Sequence, residues 1–160
     1  MALRKQETQE NNFSQGPQIE EEIINVRRVS TKRVGGARFK FSVLSVAGNR
    51  AGRVGLALAK AKENSQAMKK SREKARRSLV NVAITKDGSI AHEVFIKRGA
   101  SILLLKPAPL GAGIIAGSSV RRVLELAGIK NISVKIIGSN NPVNNAYAAL
   151  KALQSLKNKL

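Results

Sequence analysis

The sequence predicts an α+β protein in which a β-β-β-α half is followed by a β-β-α-β-α half. Short runs rich in Val, Ile and Phe alternate with segments whose apolar residues recur at helical spacing. Turn residues such as Gly35-Gly36 separate these runs. We expect a disordered polar tail over residues 1–22, a first domain over 23–86 and a second domain over 87–160.

Three strands are predicted in the first half, joined by two glycine-containing turns. β-branched and aromatic residues place them at 24–34, 37–47 and 53–60. The turns are Gly35-Gly36 and residues 48–52. In the second strand Phe39 and Phe41 fall on one face, and we expect them to pack in the core. The alternative is that nucleobases stack on these two exposed rings.

A basic helix is predicted to complete the first half, over residues 64–82, with Asn64 or Ser65 as its cap. Glu73 and Arg77 have the spacing of an i,i+4 ion pair. The apolar positions expected to face the sheet are Met68, Ala75, Leu79 and Val82.

The second half begins with two short strands. Pro107 and Pro109 end the second of them, because proline cannot donate a ladder hydrogen bond. Gly128 suits the end of a helix, and Asn141-Pro142 suits a helix start. The predicted elements are strands at 93–98 and 101–106, a glycine-rich segment at 111–117, a helix from Ser118 or Ser119 to Ala127, a strand at 131–137 and a helix to about Leu156.

Positive charge is concentrated in one part of the chain. The formal net charge is +19, and residues 27–77 contain sixteen Lys or Arg against two acids. A disordered basic tail would not show the alternation seen in this segment. Phosphates would neutralise the charge and release counterions. Because Trp is absent and aromatic residues make up 3%, structured nucleic acid fits better than a base-stacked single strand or a membrane surface.

Several other classes of protein are excluded or disfavoured. The chain has no Cys, so it has no disulfide or thiolate metal site, and no apolar run is long enough to span a membrane. No secretion signal is expected from residues 1–12. His92 is the only histidine, and we expect a surface role for it at a strand edge. The scattered acids form no catalytic or metal-binding motif, so we expect no enzyme, cofactor or metal.

Two basic clusters predict contact with nucleic acid. The loop between the first two predicted strands combines glycines, which permit close approach of a phosphate, with flanking Lys and Arg residues. Segment 69–77 contains six Lys or Arg residues and one acid. Like charges three and four residues apart destabilise an isolated helix, so phosphates would offset them. The candidate RNA-binding residues are Arg28, Lys32, Arg33, Gly35, Gly36, Arg38, Lys40, Arg50, Arg53, Lys60, Lys62, Lys69, Lys70, Arg72, Lys74, Arg76 and Arg77.

The glycine-rich segment fits neither standard nucleotide motif. Its spacing differs from the dinucleotide fingerprint, and no Lys-Ser or Lys-Thr pair follows the glycines. A glycine turn into a helix start still exposes backbone N–H groups to an anion. We therefore expect a phosphate or protein contact here rather than a free nucleotide site. The candidate contact residues are Gly111, Gly113, Gly117, Arg121 and Arg122.

The order and spacing of six motifs over residues 22–157 resemble the bacterial-type family of the fifth protein of the small ribosomal subunit. These motifs are Arg28-Val29-Ser30 with Gly35-Gly36, Gly52-Arg53-Val54-Gly55, Lys74-Ala75-Arg76-Arg77, Gly113-Ile114-Ile115-Ala116-Gly117, Val123-Leu124-Glu125 with Ala127-Gly128, and Gly138-Ser139 to Asn141-Pro142.

The resemblance implies a first domain like a double-stranded RNA-binding domain and a second domain with a left-handed β-α-β crossover. It implies binding to 16S ribosomal RNA near the decoding region, within the cytoplasmic 30S subunit, and an influence on decoding accuracy. The implied protein neighbours are the fourth and eighth proteins of the subunit, and mRNA enters nearby. The loop at Lys32–Gly36 would lie near the spectinomycin site. The glycine-rich segment, including Gly113 and Arg121, would face the fourth protein. We expect no membrane association and no homo-oligomer.

Two alternatives remain open at this point. A phosphotransferase is suggested by relatives of the second domain, but it needs a triphosphate loop and carboxylates for magnesium, and neither is visible. A double-stranded RNA-binding protein outside the ribosome would use the same basic clusters.

Overall fold

A computed structural model describes residues 18–156, which form two four-stranded sheets and three helices. This confirms the predicted α+β class. In chain order the elements are β1 (Glu20–Arg33), β2 (Gly36–Gly48), β3 (Arg53–Ala61), α1 (Asn64–Arg77), β4 (Val80–Asn81), β5 (Val94–Arg98), β6 (Ser101–Pro107), β7 (Ile114–Ile115), α2 (Ser118–Ala127), β8 (Ile132–Gly138) and α3 (Pro142–Ser155).

The first sheet has the order β1-β2-β3-β4, and every pairing in it is antiparallel. Its first turn is formed by Val34 and Gly35, and Gly35 has the positive φ of 92° that this turn requires. β1 begins at Glu20, so the predicted tail boundary at residue 22 is wrong: pairing with β2 extends to Glu20↔Gly48. Residues 1–17 of the predicted tail lie outside the described residues.

The basic helix is shorter than predicted. α1 ends at Arg77, and the chain then forms β4, in which Val80 pairs with Val54 on the open edge of β3. The Ser78 hydroxyl assists this change of direction by donating to the carbonyl of Leu56 at 3.0 Å. The N-cap is Glu63, not Asn64 or Ser65, and its side chain makes no capping hydrogen bond.

Small residues form the buried face of α1. Ala67, Ser71 and Ala75 face the sheet, whereas Met68 of the predicted stripe is only partly buried. The two hydroxyls of Ser71 and Ser45 lie 2.5 Å apart in this interface. A Cβ added to Gly55 of β3 would lie 2.4 Å from the Ala75 carbonyl oxygen, so glycine is needed for this close packing.

The opposite face of the first sheet packs against the second half of the chain. Leu44 and Val46 of β2 belong to the same buried cluster as Leu103 and Leu105 of β6. α2 and α3 contact β2 and β3 on one side and the second sheet on the other. The layers are therefore α1, first sheet, the α2–α3 pair and second sheet.

The second sheet has the order β5-β6-β8-β7, with β7 parallel to β8 and the other pairs antiparallel. The two-residue strand β7 was not predicted, because two residues leave no periodic pattern. Gly117 rather than Ser118 or Ser119 is the N-cap of α2. The predicted ends at Gly128 and Asn141 are confirmed: Gly128 has φ 94°, and the Asn141 side chain accepts from the Val143 amide at 3.2 Å.

Among residues 18–156, no helix has the length and apolar character needed to cross a membrane. The same residues contain no group of three acids or histidines placed to hold a metal ion. His92, which was predicted to have a surface role, precedes β5 and is half-buried.

Candidate nucleic-acid interface

A two-stranded ribbon extends beyond the body of the first sheet. β3 ends at Ala61, which lies opposite Phe41, so the part of β2 before Phe41 pairs with β1 alone. We call residues 29–40 the ribbon. All residues from 31 to 40 are exposed, so both ribbon faces are open to a partner.

Phe39 is on this ribbon and not in the core, so the predicted burial of Phe39 is wrong. It is 47% exposed because β3 does not extend far enough to flank it. The guanidinium carbon of Arg28 lies 3.9 Å from the centre of its ring, in a cation–π contact. Phe41, which pairs with Ala61 at the end of β3, is half-buried.

The alternation of β2 sends Arg38 and Lys40 to the ribbon face opposite Phe39. Cross-strand pairing continues this row of bases onto the sheet, since Arg27 and Lys60 both lie opposite Ser42. Arg27 was absent from the candidate residues. Its place in the row follows from the strand register, which sequence alone does not show.

The exposed side of α1 presents a second group of bases. The side chains of Lys69, Lys70, Lys74 and Arg77 are exposed, and none of them pairs with a carboxylate within residues 18–156. The predicted Glu73–Arg77 ion pair is also absent from the described structure. Every basic residue of this group is therefore available to bind phosphate.

Three other candidate basic residues, Arg50, Arg72 and Arg76, contact two acids of β1, which neutralise part of their charge. Glu20 pairs with Arg50 at 2.7 Å, and Glu21, whose side chain is 14% exposed, pairs with Arg76 and lies 3.9 Å from Arg72. These acids fall in the segment predicted to be a disordered tail, whereas in the structure they belong to β1 and contact arginines.

Twelve of the fifteen candidate Lys and Arg residues have no carboxylate partner in the described part of the chain. They are Arg28, Lys32, Arg33, Arg38, Lys40, Arg53, Lys60, Lys62, Lys69, Lys70, Lys74 and Arg77. The two candidate glycines, Gly35 and Gly36, have no atom within 4 Å of an added Cβ. The ribbon tip is therefore sterically open.

The glycine-rich segment is held from within the protein and does not form an open anion loop. The Asn131 side-chain oxygen accepts from the amides of Gly111 and Gly113 at 3.2 and 3.3 Å, and its nitrogen donates to the Asp87 carbonyl at 2.9 Å. These two amides are thus not available to a phosphate. A Cβ added to Gly117 would lie 2.7 Å from the Ile136 side chain, so Gly117 is in tight packing.

The two candidate arginines of α2 also have internal partners. Arg121 pairs with Glu125 at 3.3 Å, and Arg122 pairs with Glu22 of β1. These ion pairs reduce the positive charge that α2 offers to a phosphate.

Two family models match the chain, one in each half. The model described as "Ribosomal protein S5, N-terminal domain" matches residues 19–83, and the one described as "Ribosomal protein S5, C-terminal domain" matches residues 96–160. The first match contains the ribbon and α1, and the second contains the glycine-rich segment.

Curated relatives agree with these matches over nearly the whole chain. The small ribosomal subunit protein uS5 of Chlamydia caviae is 45% identical over 152 residues, which cover 95% of this chain and 92% of the relative. The uS5 protein of Mycoplasma genitalium is 46% identical over 145 residues, which cover 91% of this chain and 68% of that protein. The chain, with its basic ribbon and helix, belongs to the ribosomal protein S5 family.

Proposed function

We propose that this protein is a structural component of the small ribosomal subunit that binds 16S ribosomal RNA through phosphate contacts. Membership of the ribosomal protein S5 family supports a structural, non-enzymatic role in translation. The proposed location is the 30S subunit in the cytoplasm. The observation that carries the RNA-binding part is the set of twelve exposed bases without carboxylate partners in residues 18–156.

The proposed mode of recognition is shape and charge rather than base sequence. Lys and Arg on the ribbon and α1 would neutralise phosphates and release counterions. The Arg28 guanidinium covers one face of the Phe39 ring, so at most one face of this exposed ring is left for a nucleobase. Two antiparallel strands can enter a wide groove of folded RNA, and α1 can lie along the backbone beside it.

The finer fold and neighbour assignments belong to the same proposal. Antiparallel β1, β2 and β3 with α1 on one face support a first domain that begins with β1 at Glu20, ends near residue 86 and is like a double-stranded RNA-binding domain. For the second domain, residues 87–160, we propose a left-handed crossover from β7 through α2 to β8. We further propose that the glycine-rich segment faces the fourth protein and that the eighth protein lies nearby. The ribbon tip would lie near the spectinomycin site, and the protein would border the mRNA path and influence accuracy.

A salt titration of binding to small-subunit RNA tests the phosphate contacts. Replacing Lys70, Lys74 and Arg77 by Ala removes three exposed bases from α1, and we expect the slope of log K against log salt to flatten by about two. The matched control replaces Arg50, Arg76 and Arg122, each of which pairs with a different acid of β1, and should change the slope much less. Equal slopes for the two triple variants would contradict the assignment.

Sedimentation separates ribosomal from extra-ribosomal RNA binding. In a cell lysate at low salt, we expect the protein to sediment with the 30S particle. A protein that sediments only in free or non-ribosomal RNA fractions would support the extra-ribosomal double-stranded RNA-binding protein instead.

A further inference from the structure

The second sheet has one face that no element of residues 18–156 covers. α2 and α3 pack against its other face, where Leu103, Leu105 and Val134 are buried. Strand alternation sends the intervening residues away from the helices. We call this side of the sheet the outer face.

Strand pairing arranges the outer face in three cross-strand rows. Directly paired residues lie side by side on the same face, so each row is a line of neighbouring side chains. The rows are Lys97–Ile102–Ile137, Phe95–Leu104–Lys135 and Lys106–Ser133–Ile115.

Large apolar side chains are exposed in all three rows. Phe95 is 65% exposed, Ile115 is 59% exposed and Ile137 is 42% exposed. Ile102 and Leu104 lie between them and are half-buried. Phe95, Leu104, Ile102 and Ile137 are neighbours on β5, β6 and β8, and an exposed apolar cluster of this kind on a folded protein indicates an interaction surface.

The charges on the outer face indicate what binds there. Lys97 and Lys135 have no carboxylate partner among residues 18–156, and Lys106 pairs with Glu93 at 3.5 Å. A second copy of this chain would bring lysines against lysines. RNA would match the lysines but would gain little from aliphatic side chains such as Ile115 and Ile137. A protein surface that presents both aliphatic side chains and carboxylates matches both features.

We propose that the outer face binds a neighbouring protein whose surface combines aliphatic side chains with carboxylates placed beside them. The inference rests on the proposed function, because the small subunit is the particle that would supply this neighbour. It assigns a surface in which Ile102 and Leu104 of β6 lie between Phe95 of the edge strand β5 and Ile137 of β8, with Lys97 and Lys135 beside them.

Photocrosslinking in assembled small subunits tests the proposal. The probe is p-benzoylphenylalanine in place of Phe95, and crosslinked peptides are identified by mass spectrometry. We expect one small-subunit protein to be crosslinked at a peptide that combines Leu, Ile or Val with Asp or Glu. The combined substitutions Lys97→Glu and Lys135→Glu should abolish this crosslink. If charge reversal prevents assembly, Lys97→Gln with Lys135→Gln should weaken it severalfold.

Four outcomes would overturn the proposal: a crosslink to RNA, a crosslink to a second copy, a crosslink to residues 1–17 of the same chain, or no crosslink. The same probe in place of Val34, at the ribbon tip, separates this proposal from the function on which it rests. Val34 should crosslink to ribosomal RNA. A crosslink to protein from position 95 without a crosslink to RNA from position 34 would contradict only the RNA-binding proposal. A crosslink to RNA from position 34 without a crosslink to protein from position 95 would contradict only the proposal for the outer face.

Discussion

Three consecutive carboxylates at the start of β1 contact arginines from three different parts of the chain. Alternation of the strand sends Glu21 to the face that α1 covers and Glu22 to the face that α2 covers. Glu20, at the edge, pairs with Arg50 of the β2–β3 turn. These contacts leave only some of the Lys and Arg side chains for RNA. The number of basic residues in the sequence therefore overestimates the number that can contact RNA.

Glu21→Gln tests whether these acids stabilise the fold. Glu21 is nearly buried and contacts both Arg72 and Arg76, so we expect its loss to lower the free energy of unfolding by about 1–2 kcal/mol. Glu20→Gln removes a more exposed ion pair and should cost about 0.5 kcal/mol or less. Urea denaturation measures both values, and an equal effect of the two variants would contradict the argument.

The ribbon shows what alternation can and cannot predict. The sequence placed Phe39 and Arg38 on opposite faces correctly, but it could not show that β3 stops opposite Phe41. Burial of Phe39 depends on that end point, which is set by the chain's turn into α1 after Ala61. The pairing that adds Arg27 to the basic row depends on the same register.

Shortening the ribbon should separate RNA binding from stability. Replacing residues 31–38 by Asn-Gly joins Ser30 to Phe39, which already pair, through a two-residue hairpin turn. Because the removed residues are exposed, we expect the free energy of unfolding to change by less than about 1 kcal/mol. RNA affinity should fall and its salt dependence should weaken, since Lys32, Arg33 and Arg38 are lost. Unchanged RNA affinity would exclude the ribbon from the interface.

Short elements formed by distant pairing were the least predictable. The helical spacing of Leu79 and Val82 favoured continuation of α1, but the open edge of β3 pairs with Val80 instead. β7 likewise exists because Ile114 pairs with Ile132, far along the chain. Longer elements with local signals, such as α3 with its Asn141 cap, were predicted closely.

The whole molecule is organised around a core that both halves share. Val54 and Leu56 of β3 lie in one buried cluster with residues of β6, α2 and α3. Backbone hydrogen bonds reinforce this junction, since the amides of Arg50 and Gly52 donate to the carbonyls of Leu126 and Ala127. A domain boundary near residue 87 could be predicted from the sequence, but the amount of apolar surface that crosses it could not.

A shared core predicts a single unfolding transition. Tyr147, the only tyrosine, reports on the second half by fluorescence, whereas far-UV circular dichroism reports on the whole chain. We expect the two urea curves to coincide, because unfolding of either half exposes the other half's buried residues. Two separate midpoints would show that the halves unfold independently.

RNA binding by this protein requires the exposed Lys and Arg side chains of the ribbon and α1 to pack against folded ribosomal RNA. Lysine footprinting by reductive methylation tests this most directly, with the free protein compared to its complex with protein-free small-subunit RNA. We predict strong protection of Lys32, Lys70 and Lys74, while Lys97 and Lys135 on the outer face stay as reactive as in the free protein. Methylation of Lys32, Lys70 and Lys74 at equal rates in the two samples would contradict the account.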